Sequence, residues 1–116
     1  MSDRQKVFNF ERFFQTLGDN TRLRLLNLMA DRELCVCEFV EILDCPQPKI
    51  SRHLAYLRNA GMVAVRREGK WMYYRLVLPQ HEGANHLLQT ILKSLEGESS
   101  MDRDRRRLSR APCCTP

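Results

Sequence analysis

Apolar residues recur at helical spacing through most of this chain and alternate with polar ones in one stretch past its middle. Residues 5–17, QKVFNFERFFQTL, place Val7, Phe10, Phe13, Phe14 and Leu17 on one helical stripe. Gly18 stops that helix, and Asp19 has the side chain of an N-cap for the next, residues 20–30, with Leu23 and Leu26 inward. Residues 34–57, LCVCEFVEILDCPQPKISRHLAYL, read as two short helices around a turn. The first turns Phe39, Ile42 and Leu43 inward, and Cys45-Pro46-Gln47-Pro48 ends it. The second tolerates Pro48 in its first turn and has Ile50, Leu54 and Leu57 on its inner stripe, with Lys49 and Arg52 outside. Gly61 closes it.

Residues 62–78 then switch to strand alternation about a two-residue Glu68-Gly69 loop. Pairing Arg67 with Lys70 sets Arg66 opposite Trp71, Val65 opposite Met72 and Val63 opposite Tyr74. One face holds Val63, Val65, Met72, Tyr74 and Leu76; the other presents Arg66, Trp71, Tyr73 and Arg75. Residues 84–95 form a last helix with Leu87, Leu88, Ile91, Leu92 and Leu95 apolar. With little core left to cover, it is expected to pair with the N-terminal helix against a second subunit. Residues 97–116 lose apolar periodicity and read as a disordered basic tail ending in Cys113-Cys114. The expected fold is mainly α with a β-hairpin wing: a homodimeric winged helix-turn-helix over residues 1–96, with residues 97–116 as the tail.

Charge sharpens this picture. The net charge of +5 hides a concentration: residues 49–75 hold seven Lys or Arg against the single acid Glu68. A basic cluster on one helix and the hairpin behind it suits a phosphate backbone, although a solvated basic face has the same composition. Gln47, Lys49, Ser51 and Arg52 head the second helix, where base edges are met in this docking mode. Arg52 could take guanine and Gln47 adenine. His53 lies between the stripes, open to a base contact or to a packed, hydrogen-bonded role. Arg66, Arg67 and Lys70 are the expected phosphate contacts of the wing, with Trp71 a platform for a neighbouring cation.

The remaining chemistry is in five cysteines. The opening residues lack a secretion signal and no apolar run reaches membrane length, so a cytoplasmic, reducing location is expected. Cys35 and Cys37 are two apart, nearly opposite on a regular helix, so both reach one ion only if the helix start is deformed. Two buried small hydrophobes are the alternative. No Ser/His/Asp, paired-carboxylate or phosphate-loop constellation points to an enzyme.

LGDNTRLRLLNLM, ELCVCEF, QPKISRHLAYLRNAGMV and REGKWMYYRL together resemble the ArsR/SmtB family of metal-responsive repressors, over about residues 10–78. The resemblance implies a homodimer that binds double-stranded operator DNA and needs no cofactor. It also implies a thiolate site at ELCVC that takes As(III) or Sb(III), or in relatives Cd(II) and Pb(II), and releases DNA. This chain departs from the family pattern in several places. Val40 stands where arsenic-responsive members commonly have a third cysteine, and residues 1–34 contain none of the cysteines that cadmium-type relatives add. His86 and Glu96 lack the spacing of the zinc-type site, and Pro46 replaces a common capping Ser. A third ligand is left among Cys45, Cys113 and Cys114.

The leading expectation is a repressor on an inverted repeat, released when As(III) or Sb(III) binds thiolates. A thiol-redox repressor of the same fold is the first alternative, and a metalloid-sequestering thiol protein the second. The basic hairpin would have no role in the latter.

Overall fold

The structure is a computed structural model that describes residues 7–108 of the 116. Helix α1 (Phe10–Leu17) opens with Asn9, whose side chain accepts from the Arg12 amide at 2.9 Å. Gly18 ends it, and Asp19 caps α2 (Asn20–Leu28) by accepting from the Arg22 amide at 3.1 Å. Strand β1 (Leu34–Cys35) runs directly into α3 (Val36–Leu43), which stops at Asp44 in the left-handed conformation, φ 54°. Helix α4 (Gln47–Asn59) follows with Pro46 as its cap residue and Pro48 in its first turn. The Pro46 side chain caps nothing; its carbonyl accepts from the Lys49 and Ile50 amides.

Strands β2 (Val63–Glu68) and β3 (Trp71–Leu76) form the expected hairpin, and β1 adds to β3, giving an antiparallel sheet of order β1-β3-β2. The hairpin register corrects the expected one by two residues. Glu68 pairs with Trp71, Arg67 with Met72, Arg66 with Tyr73, Val65 with Tyr74 and Val63 with Leu76, so the loop is Gly69-Lys70. Gly69 takes φ +62° at the first loop position, as a type II′ turn requires. The expected Glu68-Gly69 loop would have asked a positive φ of a glutamate. Because the shift is even, every side chain stays on its expected face.

The core gathers Phe13 and Leu17 from α1, Leu25 and Leu26 from α2, Phe39 and Ile42 from α3, and Ile50, Leu54 and Leu57 from α4. Helix α5 (Glu82–Leu95), capped by the Nδ1 of His81, adds Ala84, Leu88 and Leu92. Its Leu87 points out, as do Phe10 and Phe14 of α1 and Val7 before it.

A second correction concerns the tail. Residues 97–108 are not an unstructured stretch: α6 (Ser99–Leu108) packs on α2 and α3, and the folded unit continues past residue 96. Its sequence, SSMDRDRRRL, hides the docking because polar groups carry it. The buried Asp104 receives two hydrogen bonds from Arg24, at 2.8 and 2.9 Å. Arg105 reaches Asn27 and Asp31, the Asn27 amide reaches the Met101 carbonyl, and Arg107 donates to the Ile42 carbonyl at 2.9 Å. Cys113 and Cys114 lie outside the described residues.

Candidate functional site

Cys35 is extended, φ −93° and ψ 165°, and serves as the N-cap position of α3, with Cys37 in the first helical turn. The helix therefore begins after Cys35, and its side chain swings round to that of Cys37. The two sulfurs approach to 2.8 Å. Both side chains therefore reach one side without unwinding α3, because the first cysteine belongs to a strand. Cys35 is buried and Cys37 half-buried.

Glu38 fixes this geometry. Buried at the third position of α3, it accepts from the Cys35 amide at 3.0 Å and from exposed Arg32 at 3.3 Å. The spacing Cys35-x-x-Glu38 is that of a capping box, a signal legible only once α3 is known to start at Val36. Cys45 sits beyond the opposite end of α3, and eight helical residues put about 12 Å between the two ends. The structure does not bring Cys45 to the pair. Among the described residues no third His, Cys, Asp or Glu completes a metal-holding cluster with them.

On α4, Gln47, Ser51 and Arg52 are exposed near the N-terminus and Lys49 is half-buried. His53 turns inward instead. Its Nδ1 lies 3.3 Å from Nη1 of Arg22 and 3.9 Å from Asp19. Since a guanidinium only donates, Nδ1 accepts and the ring is neutral. Burial holds the His53 pKa below its ordinary 6.5, the cations Arg22, Arg52 and Lys49 add to this, and Asp19 opposes it. Arg22 also donates to the Thr16 and Gln15 carbonyls at the end of α1 and lies 4.0 Å over the Tyr56 ring. His53 and Arg22 form a strut between α1, α2 and α4, a role that leaves the ring turned from the outer face.

On the wing, Arg67, Lys70 and Arg75 are exposed, and Lys70 lies 5.6 Å over the Trp71 ring. Arg66 is engaged by two carboxylates. It pairs with Glu33, just before β1, and with Glu68 on its own strand. Donating these hydrogen bonds, first to Glu33 and then to Glu68, raises the Arg66 pKa, and Arg66 in turn lowers that of Glu33. The sequence reading makes Arg66 a phosphate contact beside Arg67 and Lys70; of the two carboxylates that hold it, Glu33 comes from 33 residues earlier in the chain, beyond the reach of any local pattern.

The arrangement therefore places a sulfur pair at the head of a helix that packs on α4, below a basic hairpin. The family described as "Bacterial regulatory protein, arsR family" matches residues 19–65. The "Arsenic resistance transcriptional regulator ArsR2" of Pseudomonas putida is 48% identical over 82 residues, 70% of this chain and 71% of that protein. The chain belongs to the arsR family. A second relative from the same organism, "Arsenic resistance transcriptional regulator ArsR1", is 56% identical over 64 residues, 54% of this chain but only 50% of its own length. Among solved structures, HlyU from Vibrio cholerae is similar with a TM-score of 0.60 and 30% identity, covering 69% of this chain and 87% of that one. The winged helix-turn-helix is the DNA-binding fold of the family, and none of the described helices is long and apolar enough to cross a membrane. The family's members are transcription regulators rather than enzymes.

Proposed function

We propose that this arsR-family protein is a metalloid-responsive transcriptional repressor of the bacterial cytoplasm. A homodimer, formed through the apolar surface of α1 and α5, binds an inverted-repeat operator. Gln47, Lys49, Ser51 and Arg52 of each subunit meet the major groove, and Arg67 and Lys70 meet phosphates. As(III) or Sb(III) binds the thiolates of Cys35 and Cys37, with a third sulfur from Cys113 or Cys114, and the operator is released. The observation that carries this reading is the convergence of two sulfurs at the start of α3. Soft trivalent arsenic takes thiolates, and a Cys-x-Cys pair on one side of the backbone offers two at once. The names of the two relatives support arsenic resistance as the setting.

Ligand and operator then oppose each other by the same factor, as linkage demands, typically about 5–150-fold. The test is a titration of labelled operator with sodium arsenite, using wild type and Cys35→Ser/Cys37→Ser. The double variant should bind operator at wild-type affinity and ignore arsenite. Loss of DNA binding in the absence of arsenite would make the pair structural and defeat the reading.

Two adjacent sulfurs also support a second reading, a redox switch. Peroxide would take two electrons and two protons from the dithiol, forming a disulfide and water. Release by peroxide in metal-free buffer, reversed by dithiothreitol, would select it over the first.

A further inference from the structure

One row of cross-strand neighbours in the sheet runs from the sulfur pair to the wing. Cys35 lies opposite Tyr73 on β1 and β3, and Tyr73 lies opposite Arg66 on β3 and β2. Directly opposed residues of an antiparallel pair share a face, so these side chains stand side by side. The adjoining row, Leu34–Tyr74–Val65, turns to the other face, where Leu34 and Tyr74 join the core. Within the first row, the Arg66 guanidinium carbon lies 4.7 Å over the Tyr73 ring centroid. The same guanidinium donates to Glu33, two residues before Cys35. Beside the β1–β3 ladder, the segment that carries the sulfurs is therefore joined to the wing by two side-chain links, one through an aromatic ring and one through a carboxylate.

We propose that this row is the route by which occupation of the thiol site reaches the DNA-contacting wing, with Tyr73 and Glu33 as its positioning residues. The proposal rests on the metalloid reading above and names the part of the fold that transmits it. Strand β1 has two residues, so few ladder bonds hold it, and an ion taken up by Cys35 and Cys37 displaces it from β3. Tyr73 and Arg66 follow, because Tyr73 is paired with Cys35 across the ladder and Arg66 lies over its ring. Six residues of strand at about 3.3 Å each put the tip roughly 20 Å from the base, so a tilt of about 5° moves Arg67 and Lys70 by nearly ~2 Å. A shift of that size is enough to break phosphate hydrogen bonds.

The experiment uses the full chain and a duplex that it selects from a random-sequence pool. Operator affinity is measured by anisotropy with and without saturating sodium arsenite, and arsenite uptake by near-ultraviolet sulfur–arsenic absorption. In Tyr73→Leu, arsenite affinity and arsenite-free operator affinity should stay within about threefold of wild type, while the arsenite-induced loss of operator affinity shrinks by roughly 3- to 30-fold. Tyr73→Phe, which keeps the ring, should retain the full response. Glu33→Gln, a half-exposed position that tolerates the change, should weaken the response in the same direction and decides the matter if Tyr73→Leu fails to fold. An undiminished response in both Tyr73→Leu and Glu33→Gln overturns the proposal and leaves the metalloid reading standing. A wild-type protein that takes no arsenite, or keeps its operator when it does, overturns both.

Discussion

The cysteine pair was legible as chemistry because its neighbours and spacing mark it in the sequence, whereas the geometry that makes it usable was not. That geometry depends on one backbone fact, that Cys35 is strand and Cys37 is helix, and on Glu38 holding the junction. His53 shows the reverse case. Its position between two stripes allowed either role, and only the partner on α2 decides that it packs. A neutral His53 that accepts from Arg22 carries a pH signature. Its folded pKa is below 6.5, so the unfolded chain takes up the proton first as pH falls. The stability from His53 is complete above 6.5 and is lost on acidification from there towards the folded pKa. His53→Gln, which keeps an acceptor for Arg22, should therefore lose less urea stability than wild type as pH drops below 6.5. Parallel pH slopes for the two proteins would show that the ring is not held neutral.

Among the elements, the helices were legible from their apolar stripes and stop residues, and Gly18, Asp19, Pro48 and Gly61 act as their chemistry dictates. The hairpin was legible in its faces but not its register, since Glu68-Gly69 and Gly69-Lys70 differ only in which residue takes the positive φ. Helix α6 escaped because Met101 and Leu108 are its apolar residues and its attachment is ionic. That attachment can be measured. Asp104 is fully buried against Arg24, which is itself only 15% exposed. The hydrogen bond to Asp104 raises the Arg24 pKa. Removing one member of such a pair leaves a charge without its counterion, and Asp104→Ala should cost about 3 kcal/mol in urea denaturation. A loss below about 0.5 kcal/mol, the range of ordinary surface changes, would mean that α6 does not dock in solution.

For the whole molecule, sequence reading led to a paired assembly because the last helix had too little left to cover. The structure corrects the premise, since Leu88 and Leu92 of α5 join the core; Phe14 at 53% and Leu87 at 42% exposure are the apolar residues left outside it. Phe10 lies 5.0 Å from His81 at the start of α5, so the outward residues of α1 adjoin that helix. Phe14→Glu with Leu87→Glu should sediment as a monomer and weaken operator binding on the order of 100-fold, as loss of bivalency does. A variant that still sediments as a dimer would move the interface elsewhere. The order of the sheet bears on how such subunits can join. Of its two outer strands, β1 is too short to template another chain, and β2 carries Arg66, Arg67 and Glu68 towards its open end. Charges on an outer strand discourage backbone-to-backbone growth, so the sheet is guarded against fibre-like stacking, and helices are left as the surface for self-recognition.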